Sequence, residues 1–263
     1  MRKISVIGSG MLGINQITTE GFSIIQNTNK VFWIGEISGL KDYLSHNNND
    51  YEDLSHLYED GGIDIVNYNR IVQYVTNSLT EYEHICLVVP GHPRIGVTII
   101  QILQKLSDDG GFLFNCYPGI SSFDAMINDI GIDPLEEGVS LLDANRLIIY
   151  DYKMDSCINY FIYHVCSIGN SNTDFSSPQL SNKVSYLKSK LIKHFEGKHK
   201  IYLLSASTKN GELPDKLEGN ISDLERLLSQ VTYRHTLYVP SIPPNKDRVN
   251  FNFLRETNIL YRK

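Results

Sequence analysis

The stretch HICLVVPGHPRIGVTIIQILQKLSDDGGFLFNCYPG, residues 84–119, decides the fold. Its opening, HICLVVPG at 84–91, is an unbroken apolar run closed by proline and glycine, the pattern of a strand buried on both faces. VTIIQILQKLSDDGG, 97–111, reads as a helix ended by glycine, and FLFNCYPG, 112–119, as a second strand with the same closing turn. Strand, helix and strand in succession predict a parallel sheet covered by helices. Ligands of such sheets bind at the carboxyl ends of the strands. The turns GHP at 91–93 and YPGIS at 117–121 are therefore candidate ligand loops. Pro90 and Pro93 stiffen the first, and Gly91 admits backbone angles closed to other residues.

Working outward, ISVIG at 4–8 and KVFWIG at 30–35 read as further strands. Gln16 to Gln26 reads as a helix, and Ile65, Tyr68, Val72, Val75 and Leu79 recur at helical spacing over 65–79. Between them LKDYLSHNNNDYEDLSHLYEDGG is polar, with Leu and Tyr at irregular helical spacing. The second half changes character. RLIIYDY (146–152), YFIYHVCSIG (160–169), KIYLLSAS (200–207) and TLYVPSI (236–242) are strand candidates, with helices expected at Lys183–Phe195 and Ile221–Leu228. Long strands with few helices predict a mixed or antiparallel sheet. DPLEEG marks a boundary, giving an N-terminal α/β domain over 1–138 and a C-terminal domain with a mixed sheet over 139–263. NNN at 47–49 and GNSNTDFSSPQLSN at 169–182 are polar loops, the latter read as surface loop rather than mobile flap.

The 263 residues, 41% hydrophobic and 21% charged, are ample for a core without disulfides or metals. A net charge of −6 with no basic stripe argues against nucleic acid as partner. Cys86, Cys116, Cys157 and Cys166 lack CxxC spacing, and the first two fall in strand-like runs, so buried thiols are expected. No apolar run approaches membrane-spanning length and MRKISVIGSG lacks a signal-peptide core, which predicts a soluble cytoplasmic protein with no membrane partner.

Gly8-Ser9-Gly10-Met11-Leu12-Gly13 follows the first strand and satisfies G-x-G-x-x-G, and Glu36 closes the second, where a dinucleotide-binding protein keeps its ribose acid. An NAD-binding Rossmann oxidoreductase is thus one reading, but it leaves the other two loops unexplained. His92 reads either as ligand or base, or as a loop histidine bonded to backbone. Ser121 or Ser122 caps the following helix, or offers hydroxyls and free N–H groups to a polar ligand.

Three glycine-bearing strand-end loops in this order, VIGSG, PGHP and YPGIS, resemble the tetrapyrrole-methylase superfamily of methyltransferases, as do DIGIDP (129–134) and TLYVPSIPP (236–244). The resemblance implies two α/β domains with S-adenosylmethionine folded into the cleft between them. Within the superfamily the chain is most similar to the borosin peptide-backbone α-N-methyltransferases, through Gln16-Ile17-Thr18 and through PGISSFDAMINDIGIDP from Pro118 to Pro134.

The resemblance carries the cofactor cradle onto Pro90, Gly91, His92, Ile95, Val97, Ser121 and Ser122, and its adenosine side onto Val165, Ser167, Ile168, His235, Thr236 and Leu237. It implies no metal. It assigns the chemistry to Tyr68, orienting or helping deprotonate an amide, and to Tyr58, assisting or binding the carbonyl oxygen. A further family tyrosine falls at Ser55, and the family's arginine falls at Asp64, reversing the charge; Arg70 or Arg94 would supply a substitute cation. The acceptor implied is a separate precursor peptide, since the chain ends at LRETNILYRK without an appended apolar core peptide, and the enzyme implied is a homodimer. A small-molecule acceptor, such as a tetrapyrrole, is the alternative on the same fold.

Overall fold

The computed structural model describes residues 1–47 and 50–257, so most of the NNN loop and the final residues of the chain lie outside the described residues. The first half runs β1 (Lys3–Gly8), α1 (Thr19–Gln26), β2 (Lys30–Trp33), α2 (Leu40–His46), β3 (Tyr51–Asp53), α3 (Asp64–Asn77), β4 (His84–Val89), α4 (Thr98–Asp108) and β5 (Leu113–Tyr117). Among the described residues these strands form a five-stranded sheet ordered β3-β2-β4-β1-β5, parallel throughout. Strand alternation sorts its side chains onto two faces. Ile4, Val6, Ile85 and Leu87 meet Ile71 and Val75 of α3 and Ile100 and Leu103 of α4. Ile7, Val31, Trp33, Cys86 and Val88 meet Ile25 of α1 and Leu40 and Leu44 of α2. Truncating a fully buried member such as Ile71 or Leu87 to alanine would cost about 2–5 kcal/mol.

The chain crosses to its second half through α5 (Ser122–Ile130) and α6 (Pro134–Glu137). There follow β6 (Val139–Asp143), α7 (Ala144–Ile149), β7 (Asn159–Tyr163), α8 (Val184–Ile192), β8 (Lys200–Ser205), β9 (Asp215–Asn220), α9 (Leu224–Leu228), β10 (Thr236–Val239) and α10 (Phe251–Glu256). The second sheet is ordered β6-β7-β10-β8-β9, with β6 and β7 parallel and the remaining pairs antiparallel. The expected mixed sheet is thus present. One face packs on α7, α8 and α9 through Leu147, Leu187, Leu191 and Leu224. The other receives α5, whose Met126 joins Phe161, Leu204 and Tyr238 and whose Phe123 ring meets Phe161 edge-on at 5.2 Å.

Three local readings are corrected. RLIIYDY begins in a helix, α7, rather than a strand. Asp143 accepts the Arg146 N–H at 2.8 Å and caps it, and only one face is apolar, Leu147 being fully buried while Ile149 is 71% exposed. A run this short does not reveal its period. The polar stretch after β2 contains α2, entered through Gly39 at φ 74°, and the short edge strand β3. The helix expected from Gln16 starts only at Thr19, with Thr18 accepting the Gly21 N–H at 3.0 Å. Cys86 is buried in β4 and Cys116 half-buried in β5, as free thiols. Among the described residues no helix is long and apolar enough to cross a membrane.

Candidate functional site

At the carboxyl ends of β1, β4 and β5 three glycine loops interlock. A β-carbon on Gly8 would lie 2.4 Å from the Gly91 carbonyl oxygen and 2.8 Å from the Gly119 nitrogen, and one on Gly119 2.4 Å from that same oxygen, so neither position has room for a side chain. Gly10 and Gly91 exchange backbone hydrogen bonds of 3.3 and 2.9 Å. This accounts for the G-x-G-x-x-G motif differently from a dinucleotide fingerprint. Its last glycine opens a 3-10 turn, Gly13–Gln16, so no α-helix N-terminus stands at the loop to receive a pyrophosphate, and β4 separates β1 from β2.

The interlocked loops form one wall of a cavity of about 310 Å³, and the loops after β7 and β8 and before β10 form the other. Of the residues expected to cradle a cofactor, Pro90, Gly91, His92, Ile95, Ser121, Ser122, His235 and Thr236 line it together. Val97 instead packs against the core under α4, beside Ile99 and Ile100. Val165, Ile168 and Leu237 are buried in the core of the second half, and Ser167 sits behind the wall, its N–H donating to the His164 carbonyl at 3.1 Å. The Ser121 hydroxyl caps α5, donating to Asp124 Oδ2 at 2.7 Å and accepting the Asp124 N–H at 3.1 Å. Ser122 Oγ lies 3.3 Å from the Tyr163 hydroxyl, and burial pushes that phenol up to about 12.

Lining residues outside the sequence expectation include Met11, Tyr163, His164, Ala206, Lys209 and Arg234. Most follow or precede strand ends that the sequence locates, but nothing in the chain says which ends face the first sheet. Glu36 also lines the cavity and pairs with Arg234 at 3.5 Å, joining the end of the first half's second strand to the loop before β10.

Tyr58 and Tyr68 come together beside this cavity, with ring centroids 6.2 Å apart. Tyr58 packs at 5.1 Å against the tilted ring of Phe175, which meets Tyr233 of the cavity wall at 4.9 Å. The Tyr58 hydroxyl donates to Asp64 Oδ1 at 2.7 Å. Asp64 is otherwise occupied too: Oδ1 accepts the Thr173 N–H at 3.0 Å and Oδ2 the Thr173 hydroxyl at 2.9 Å. Asp60 adds Phe175 N–H and Ser176 Oγ, each at 2.6 Å. Two carboxylates of the first half thus fasten the 169–182 loop of the second half over the tyrosines. Burial, reinforced by Asp64, pushes the Tyr68 phenol up to about 12 and holds Tyr58 well above its ordinary range.

Neither arginine singled out in the sequence faces this carboxylate. Arg70 donates to the Leu57 carbonyl at 2.9 Å, and Arg94 donates to Gln104 at 2.9 Å and lies over the Phe114 ring. Ser55 serves its own turn, donating to Asp53 Oδ1 at 2.6 Å and accepting the Gly35 N–H at 2.9 Å.

Residues 3–145 match the family model for tetrapyrrole (corrin/porphyrin) methylases, and the chain belongs to that family. The fold agrees: uroporphyrin-III-C-methyltransferase from Thermus thermophilus superposes with a TM-score of 0.64 at 13% identity, over 94% of this chain and 99% of that one. Diphthine synthase superposes with a TM-score of 0.60 at 12% identity, over 97% and 95%. Among curated proteins, a methyltransferase/ribosomally synthesized type II borosin cyclic peptide precursor of Phlebiopsis gigantea is 25% identical over 91% of this chain and 43% of its own length. A type I borosin precursor of Mycena rosella is 27% identical over 92% and 60% respectively. The chain therefore spans about half the length of these relatives.

Proposed function

We propose that this protein is an S-adenosylmethionine-dependent methyltransferase that N-methylates backbone amides of a separate ribosomal precursor peptide. The observation that carries the reading is the cavity over the interlocked loops with the Tyr58–Tyr68 pair beside it. The relatives, whose names join a methyltransferase to a ribosomal cyclic-peptide precursor, support the acceptor class. The residues present fit the cofactor. The cavity is apolar at Met11, Ile95 and Ala206, offers hydroxyls at Ser122, Ser205 and Thr208, and carries an acid at Glu36 with cations at Lys209 and Arg234. That mixture suits a nucleoside bearing a zwitterionic tail. Pro90, Gly91, His92, Ile95, Ser121 and Ser122 would hold it from one side and His235 and Thr236 from the other. Bound there, the cofactor supplies an electrophilic methyl group on a sulfonium.

The chain's own part is orientation and exclusion of water. The Tyr58 proton is engaged by Asp64, and Tyr68, whose hydroxyl lies against that of Tyr58, is the phenol we assign to donate to an acceptor amide. Burial and Asp64 favour the protonated, hydrogen-bond-donating form of both phenols. We further propose that the chain divides at 138/139, just before β6, and that it works as a homodimer. Co-expression with a candidate precursor peptide, followed by tandem mass spectrometry, tests the reading. Backbone mass gains of one methyl are expected, and Tyr68→Phe abolishes them while S-adenosylhomocysteine still stabilises the protein in thermal-shift titration. Unmodified peptide alongside methylation of a tetrapyrrole would overturn the acceptor class; stabilisation by NAD alone would overturn the cofactor.

A further inference from the structure

Three histidines line the cavity, and their hydrogen bonds fix different tautomers. His92 Nδ1 accepts the Arg94 N–H at 3.1 Å, so its neutral ring carries the proton on Nε2. His235 Nδ1 accepts the Thr232 N–H at 2.9 Å, so Nε2 is again the protonated nitrogen and donates to Asp215 at 3.2 Å. His164 is the reverse. Its Nδ1 lies 2.6 Å from Asp143 Oδ2, and a carboxylate only accepts, so Nδ1 donates and, in the neutral ring, Nε2 is the nitrogen with the lone pair. That nitrogen is 3.4 Å from where a β-carbon of Gly96 would stand, and Gly96 also lines the cavity.

The backbone supports a function here. His164 has φ 57°, a left-handed conformation that costs a non-glycine residue about 1–2 kcal/mol and that concentrates at working sites. Asp143 is firmly an anion: burial pushes its carboxyl up, but bonds from His164 and the Arg146 N–H hold it below the ordinary range. The other titratable groups on the cavity wall have partners of their own in the structure. Glu36 pairs with Arg234 at 3.5 Å, and Lys209 with Glu212 at 3.7 Å. Tyr163 contacts Ser122, and Tyr233 contacts Arg234 and Phe175.

We propose that His164, held by Asp143 as the Nδ1–H tautomer, is the general base of the cleft and takes the proton of the acceptor N–H. This rests on the methyltransferase reading. The N–H bond breaks, leaving its electron pair on nitrogen and its proton on Nε2. That pair forms the bond to the methyl carbon as the carbon–sulfur pair returns to sulfur. The imidazolium is balanced by Asp143 until it loses the proton to solvent.

The test uses the full chain and three variants. His164→Gly suits the left-handed backbone, Asp143→Asn removes the anion, and His164→Gln keeps a polar side chain. Nitrogen NMR of labelled histidine should find Nδ1–H at His164 in the free wild type and Nε2–H in Asp143→Asn; Nε2–H in the wild type overturns the proposal whatever the reaction. With a peptide methylated in the co-expression experiment, both His164 variants should lose roughly 100-fold or more in turnover. S-adenosylhomocysteine affinity by calorimetry should fall far less than turnover, since His164 lines the cofactor cavity but a base acts on the acceptor in the transition state. Added imidazole should restore turnover in His164→Gly but not in His164→Gln. Unchanged turnover, or a loss matched by lost S-adenosylhomocysteine affinity and not rescued by imidazole, overturns it. A wild type that methylates no peptide refutes the functional reading, and this inference with it.

Discussion

Replacing Gly119 by alanine should damage both the fold and the cofactor site, because the loops at the three strand ends touch through bare backbone. The new β-carbon would stand 2.4 Å from the Gly91 oxygen and 2.7 Å from both the carbonyl carbon and oxygen of Gly8. A carbon normally keeps about 3.3 Å from a carbonyl oxygen, so the loops must part by about 1 Å. None of the obstructing atoms belongs to a side chain that could rotate away. Overpacking of this kind costs about 1–3 kcal/mol. Parting the loops also strains the Gly10–Gly91 exchange, with two hydrogen bonds of about 1 kcal/mol each. The sum, about 3–5 kcal/mol, corresponds to a melting point lower by about 10 °C in a chain of this size. Gly131→Ala is the control. Gly131 has φ 69° and nothing within 4 Å, so it bears only the left-handed cost of about 1–2 kcal/mol and leaves the cavity alone. Scanning calorimetry and S-adenosylhomocysteine titration of both variants provide the assay. A Gly119→Ala variant that melts like the wild type and keeps its affinity, or that behaves like Gly131→Ala, would refute the backbone contact between the loops.

Asp64→Ala removes the acceptor of three hydrogen bonds and should cost about 2–3 kcal/mol, water replacing part of the loss at this half-buried site. Limited proteolysis should then cut the 169–182 loop faster than in the wild type, and an unchanged cutting rate would mean Asp64 does not fasten it. Alkaline stability follows from the phenols. Tyr68, Tyr163 and Tyr238 are raised from an ordinary value near 10 to about 12, mainly by burial, so the folded chain retains protons that the unfolded chain releases. Their contribution is complete below pH 10 and is lost as pH rises toward 12, which urea unfolding against pH will measure; a flat profile across that window would contradict it. Ile63, Ile65 and Val66 at the start of α3 are half exposed, and a second copy should cover such a face. Light scattering should return a dimer that Ile65→Asp and Val66→Asp together convert to monomer; a monomeric wild type removes the proposal.

The sequence alone determined the parallel sheet of the first half through the apolar runs of β1 and β4, because a strand buried on both faces reads as an apolar run, and through the glycine turns that close them. It likewise located GHP and YPGIS as strand-end loops, and eight of the expected cradle residues meet at one cavity. What it left open had a common cause: the information lay in partners distant along the chain. Helix α7 looked like a strand because six residues show no period, and its cap, Asp143, became visible only once folded. Strand β9, DKLEGN, is polar and exists because β8 pairs along its whole length. Leu237 sits one layer behind the wall because strand alternation in β10 turns it into the core of the second half, and Val165 and Ile168, in the turns after β7, pack into that same core. Asp64 read as a misplaced charge. The tertiary structure makes it a clasp for Tyr58 and Thr173, a residue 109 positions away. The sequence could name the groups able to do chemistry. Which of them face one another, and which nitrogen of each histidine is free, was decided only by how the two sheets close on the cleft.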